Sequence, residues 1–243
     1  DNVTTVLLIT PVTLLTDAFI ANGSGAWRLP TMDELPEIHP HYAPESQKFN
    51  YTPYRRDKES RVRYWAIPGQ EGYEHILGGL EKDGETGAIS TEPENHDLMD
   101  RLRFEKVAKI PVPDLEVEGD ADDAELLIVG FGSTYGHLYS AMEELRGRGY
   151  KVALAQFQYI NPLPANTAEV LLRYKKAVVA EQNLGQLAAL LRIRINGFAP
   201  YQYNQVKGQP FMVSELVGGF ERVIKTDEAA NAGKTFNERI IKL

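Results

Sequence analysis

The chain has 243 residues, 43% of them hydrophobic and 25% charged, enough apolar material for one large core or two modest ones and a balance ordinary for globular protein. Its net charge of -8, with no basic cluster interleaved with aromatics, excludes an electrostatic footprint for nucleic acid. The absence of cysteine excludes disulfides, thiolate catalysis and any cysteine-ligated iron-sulfur cluster held by this chain alone, and a cytoplasmic setting is expected.

In chain order, the first apolar run spans residues 6–17 and lacks the basic region and small-residue cleavage site of a signal peptide. Pro11 and Asp17 interrupt it, so no membrane span is expected. Its β-branched content predicts a buried strand over residues 12–15, with a turn at residues 21–25. Buried parallel strands need neighbours, and none precede this one. The chain is therefore expected to begin inside an α/β domain whose earlier strands come from elsewhere. Residues 27–60 carry prolines at 30, 36, 40, 44 and 53 and no helical or strand pattern, which predicts a surface connector.

The stretch from Trp65 to Lys106 is unlike a core element. Glycine falls at 69, 72, 78, 79, 84 and 87 with polar residues between, so a long irregular loop ordered by what it covers is expected, the kind of segment that serves function. Thr91, Glu92, Pro93 and Glu94 offer a capping box with proline in the first turn, and Leu98, Met99, Leu102 and Val107 fall roughly on one face of the helix that should follow. That helix should end before Pro111. The acidic run at residues 116–123 reads as a solvated domain boundary.

Beyond it lies α/β alternation. Strands are predicted at residues 126–129, 152–156 and 177–180, and helices at 133–146, 167–174 and 184–195, with Ser133 or Thr134 as a cap. A last strand at 211–213 and a helix at 216–224 complete the pattern. The expected fold class is thus α/β, ending in a mainly parallel sheet flanked by helices. Three parts are expected: residues 1–30, a connector at 31–120, and a second domain at 121–243.

Three constellations can carry chemistry. Gly130, Gly132, Ser133, Thr134 and Gly136 join a strand to a helix, where small residues let backbone approach a phosphate. A dinucleotide fold also wants an acidic residue at the end of the next strand, where Gln156 and Gln158 stand, so a tight structural turn is favoured over a cofactor cradle. Glu181, Gln182 and Asn183 close another strand, at a place suited equally to ligand contact and to hydrogen bonding between domains. In the glycine-rich loop, Glu74, His75, Glu81, Asp83, Thr86 and Gly87 are candidates. Because Glu74 and His75 are adjacent they should splay apart, which favours a structural pair over proton shuttling. The histidines at 39, 41, 75, 96 and 137 never show i, i+4 spacing between them, so no dedicated metal site is expected.

Taken together, TPVTLLTDAFIANGS, Trp27-Arg28-Leu29-Pro30, Thr52-Pro53-Tyr54-Arg55-Arg56, YWAIPGQEGYEHILGGLEKDGETGAIS and Asn95-His96-Asp97 resemble the alpha subunits of the 2-oxoglutarate:ferredoxin oxidoreductases, in the 2-oxoacid:acceptor oxidoreductase family. GFGSTYG, NPLP and EQNLGQL are similar to that family's transketolase-C-terminal-like domain. The resemblance implies that residues 1–30 end a pyrimidine-binding-type domain. It implies a thiamine diphosphate enzyme with Mg that decarboxylates a 2-oxoacid, sends electrons through iron-sulfur clusters on a partner subunit to ferredoxin, and forms an acyl-coenzyme A. A beta subunit and an oligomeric assembly are implied with it. The family's YPITP-type motif and its activating glutamate are expected before Asp1. No catalytic residue and no cofactor are then expected to be held by this chain alone, and no turnover by it alone.

The glycine-rich loop is expected to cover the active-site entrance. The segments at 130–136 and 181–186 are expected to line an interdomain surface or meet an anionic group such as a coenzyme A phosphate. Two other readings compete: a nucleotide-binding α/β domain using GFGSTYG, and an assembly module without a ligand.

Overall fold

The structure is a computed structural model, and it describes residues 9–13, 16, 21–35, 37–227 and 240. The chain divides into two compact units, one of residues 1–15 and 24–111, the other of residues 16–23 and 112–243. Of the strand expected at residues 12–15, Leu14 and Leu15 lie outside the described residues. So does most of the tail after residue 227.

The second unit is built on a five-stranded sheet: β1 (Val117–Gly119), β2 (Leu126–Phe131), β3 (Val152–Phe157), β4 (Ala177–Glu181) and β5 (Tyr201–Asn204), in the order β1-β3-β2-β4-β5. The last four strands of that order run parallel, and β1 lies antiparallel along β3. Helices α2 (Tyr135–Gly147), α3 (Thr167–Arg173), α4 (Gln186–Arg194) and α5 (Val213–Lys225) accompany them. The near-continuous apolar text of β2, β3 and β4 follows from burial on both faces.

Successive side chains alternate between two cores. Leu126, Ile128, Leu154 and Val178 meet Leu138, Met142 and Leu145 of α2 and Leu216, Phe220 and Val223 of α5 on one face. Leu127, Val129, Ala155 and Val179 meet Val170 and Leu171 of α3 and Leu187 and Leu191 of α4 on the other. Right-handed crossovers account for this split. The chain steps from β2 outward to β3, then turns back past β2 to β4 and β5, so α3 and α4 fall on the face opposite α2. The direction reverses between β2 and β4, the topological switch point of the sheet.

Several expectations change here. The acidic run holds β1, which protects a sheet edge with charged text. Gly119 has φ 84° and lies so close to Val152 O that a Cβ would stand 2.6 Å from it, so glycine is required there. The strand expected at residues 211–213 is instead β5, where alternating Tyr and Gln conceal burial: Gln202 is 0% exposed. Phe211 is core and α5 starts at Val213. A 3-10 turn, Gly132–Thr134, precedes α2, and the Thr134 hydroxyl donates to Phe131 O at 2.8 Å rather than capping the helix.

The first unit has little regular structure. Helix α1 (Pro93–Ala108) opens with proline at its first position as expected, but no capping side-chain bond forms. Asn95, three residues into the helix, is engaged elsewhere. The connector contains no α-helix or strand between residues 37 and 60, only the 3-10 turn Glu45–Gln47. It is stitched by single bonds such as Phe49 N to Gly72 O at 2.7 Å, Trp65 N to His41 O at 2.8 Å, and Tyr73 OH to Pro44 O at 3.1 Å. Val62, Tyr73 and Met99 are its buried apolar side chains among the described residues.

Candidate functional site

The glycine-rich segment is ordered largely by its own hydrogen bonds. Residues 81–90 form a hairpin in which Ser90 N donates to Glu81 O at 3.0 Å and Asp83 N to Ala88 O at 2.8 Å. Asp83 closes the turn, its Oδ1 accepting Thr86 N and Thr86 Oγ1, each at 2.8 Å. Those bonds hold the Asp83 carboxyl below the ordinary carboxylate range. At Gly87, φ is 75° and a Cβ would stand 2.7 Å from Pro53 Cγ, so the hairpin lies directly on the connector.

Two side chains that sequence reasoning passed over clamp this hairpin. Asn95 of α1 accepts Gly84 N at 3.0 Å and donates from Nδ2 to Lys82 O at 2.7 Å. Arg56 donates from Nη1 to Gly84 O at 3.2 Å and Tyr54 O at 3.1 Å, and burial lowers its pKa. Asn95 and Arg56 both fall within the motifs quoted above, yet nothing in their spacing indicates that they meet at Gly84.

Glu81 ties the hairpin to α1 a second time. Arg103 Nη2 donates to its Oε1 at 2.5 Å and His96 Nδ1 to its Oε2 at 3.0 Å. Chiefly because of Arg103, and then His96, its pKa falls to about 2. Glu81, His96 and Asp100 offer three metal-type ligand atoms within 4.8 Å of one another. Arg103 also donates to Asp100 Oδ1 at 2.5 Å. A guanidinium shared by both carboxylates sets a fixed positive charge where a cation would have to sit, so the arrangement reads as an ion-pair network.

Glu74 and His75 are not joined to each other. Glu74 accepts Gly72 N at 2.9 Å, while His75 Nδ1 donates to Tyr73 O at 2.8 Å and its ring meets Tyr51 edge-on at 5.1 Å. Between these anchors and the hairpin lies an exposed apolar tip: Ile76 is 89%, Leu77 53% and Leu80 67% exposed.

In the second unit, the candidates at residues 130–134 and 181–183 stand at the ends of β2 and β4, on either side of the switch point. Gly130 is a packing glycine: a Cβ there would meet Leu138 Cδ1 at 2.2 Å and Gln156 Oε1 at 2.8 Å. Gly132 is a conformational one, with φ 63° and open space around it. Beside it lies a cleft of about 470 Å³ lined by Glu116, Glu118, Tyr135, Gln156 and Gln158, so an anion entering there would share it with two carboxyl groups. Glu181 is 0% exposed and is spent inside the domain: its oxygens accept Leu187 N at 2.7 Å and Ala188 N at 2.9 Å at the start of α4. Asn183 Oδ1 accepts Gly185 N at 2.7 Å.

Residues 124–231, within the second unit, match the family model described as pyruvate:ferredoxin oxidoreductase core domain II. Along more of its length the chain is 49% identical, over 207 residues, to the 2-oxoglutarate oxidoreductase subunit KorA of Mycobacterium tuberculosis, covering 85% of this chain and 31% of that one. It is 34% identical over 117 residues to the 2-oxoglutarate synthase subunit KorA of Methanocaldococcus jannaschii, 48% of this chain and 31% of that one. Among solved structures, a 2-oxoglutarate:ferredoxin oxidoreductase from Magnetococcus marinus, with 2-oxoglutarate, coenzyme A and succinyl-CoA bound, aligns with a TM-score of 0.72 at 30% identity, over 81% of this chain and 34% of that one.

Over most of its length the chain is similar to the alpha subunits of the 2-oxoacid:ferredoxin oxidoreductases, the resemblance that the sequence motifs carry. It spans about a third of the length of these curated relatives. No helix among the described residues is long and apolar enough to cross a membrane.

Proposed function

We propose that this chain is part of the alpha subunit of a thiamine-diphosphate-dependent oxidoreductase that converts 2-oxoglutarate and coenzyme A to succinyl-coenzyme A and CO2, reducing ferredoxin in the cytoplasm. The observation that carries the reading is the 49% identity to a 2-oxoglutarate oxidoreductase subunit over 85% of this chain. A beta subunit completes the site, and the iron-sulfur clusters belong to a partner subunit.

Among the described residues, the candidate carboxyl groups do not fit the task of activating thiamine. Glu81 is already engaged by Arg103 and His96, and the buried Glu181 by two backbone amides. Neither is available to hold a proton against a cofactor ring. What this chain supplies is positioning. The braced hairpin and its apolar tip act as a cover over the active-site entrance that limits water access, and the second unit supplies a surface on which other domains dock. The acidic cleft beside Gly132 favours docking over capture of a coenzyme A phosphate.

The test is reconstitution: the complete alpha subunit with its beta subunit should reduce ferredoxin in the presence of 2-oxoglutarate and coenzyme A, and this chain alone should not. Deleting residues 72–87 from the complete enzyme should lower the acyl-coenzyme A yield per oxoacid consumed. Unchanged yield and substrate preference would remove the cover from the account.

A further inference from the structure

Lys82 stands out among the described residues as a buried charged side chain without a charged partner. It is 2% exposed, although lysine is almost never fully buried unless paired. The acceptor at its Nζ is the neighbouring carbonyl of Leu80. The carboxyl group next to it in the chain, Glu81, is occupied by Arg103 and His96. An ammonium offers three donors, so two remain, and enclosing it without an anion leaves much of its lost hydration unrecovered.

The two sides of this group are held very differently. Its backbone is fixed, since Asn95 grips Lys82 O and Gly84 N. Its cover is slight: Gly78 lies over it, a Cβ there standing 3.5 Å from Nζ, and Gly79 has open space around it. Ile76, Leu77 and Leu80, which flank the two glycines, are exposed and so do not pin the cover down. A firmly placed cation under a loosely held flap is preorganised to accept an anion once the flap lifts.

We infer that Lys82 is a specificity-determining residue: when the cover at residues 78–80 moves aside, its ammonium receives the carboxylate of the oxoacid that lies away from the reacting carbonyl. This rests on the oxoacid reading above and adds to it the group that selects a dicarboxylic substrate.

The experiment uses the assembled oxidoreductase carrying Lys82→Met, Lys82→Arg or neither, assayed with 2-oxoglutarate and with the monocarboxylic 2-oxobutyrate, alongside melting temperatures. Losing a charged hydrogen-bond partner should raise KM for 2-oxoglutarate about 10- to 100-fold in K82M. With 2-oxobutyrate KM should change by less than about twofold, and K82R should recover most of the loss. Equal effects on both substrates, or a lowered melting temperature with both KM values unchanged, would overturn the inference and make Lys82 a brace for a carboxyl group elsewhere in the assembly. A wild-type enzyme inactive on every oxoacid would instead refute the oxidoreductase reading, an outcome visible without either variant.

Discussion

Glu181 Oε2 accepts the backbone N–H of Leu187 at 2.7 Å, so a carboxyl group that closes one strand caps the helix that follows it. With Ala188 N on the other oxygen, the side chain satisfies two of the donors that every helix start leaves open, in a place water does not reach. Glu181→Ala should therefore destabilise the second unit by about 2–4 kcal/mol, and Glu181→Gln, which keeps one acceptor, by about half of that. Urea denaturation measures both. An unchanged midpoint in the alanine variant would return Glu181 to the list of ligand candidates.

Glu81 gives the first unit a dependence on acid. Its folded pKa of about 2 lies below the ordinary glutamate value of 4.5. The unfolded state therefore binds the proton more readily, and the stabilisation is complete above pH 4.5 and lost as pH falls toward 2. Melting temperature against pH should decline more steeply across that window in the native chain than in Glu81→Gln. Parallel curves would show that the Arg103 pair contributes nothing.

The two glycines that suggested a nucleotide cradle should fail in different ways. Gly130→Ala drives a methyl group into Leu138 and should cost about 1–3 kcal/mol through overpacking. Gly132→Ala meets open space and should cost about 1 kcal/mol, from its left-handed backbone alone. Denaturation of the two variants checks the order. NAD or NADP should leave the melting temperature of the native chain unchanged, whereas the cradle reading requires a rise.

Asn95→Ala removes both bonds that fix residues 82–84 to α1. Two backbone groups are left without those partners, a loss of about 1–2 kcal/mol local to the hairpin. Hydrogen exchange should quicken at Gly84 while the strands of the second unit keep their protection. Exchange that stays slow at Gly84 would mean that Arg56 suffices as a clamp.

The sequence by itself determined the α/β class, the positions of β2, β3 and β4, and the family resemblance. Unbroken apolar runs mark strands covered on both faces, and a long glycine-rich motif varies little in what it can specify. Only the tertiary structure decided which polar side chains are spent. At Glu181 and Gly130 the sequence leaves ligand contact and structural roles both open, and in the fold one caps a helix and the other makes room for Leu138. Arg56 lies far in the chain from Asn95 and Arg103 of α1, yet all three converge on one hairpin, and the burial of Lys82 follows no apolar run. Periodicity records which face of an element is buried. Whether a charge finds its partner depends on folding distances that no local pattern encodes.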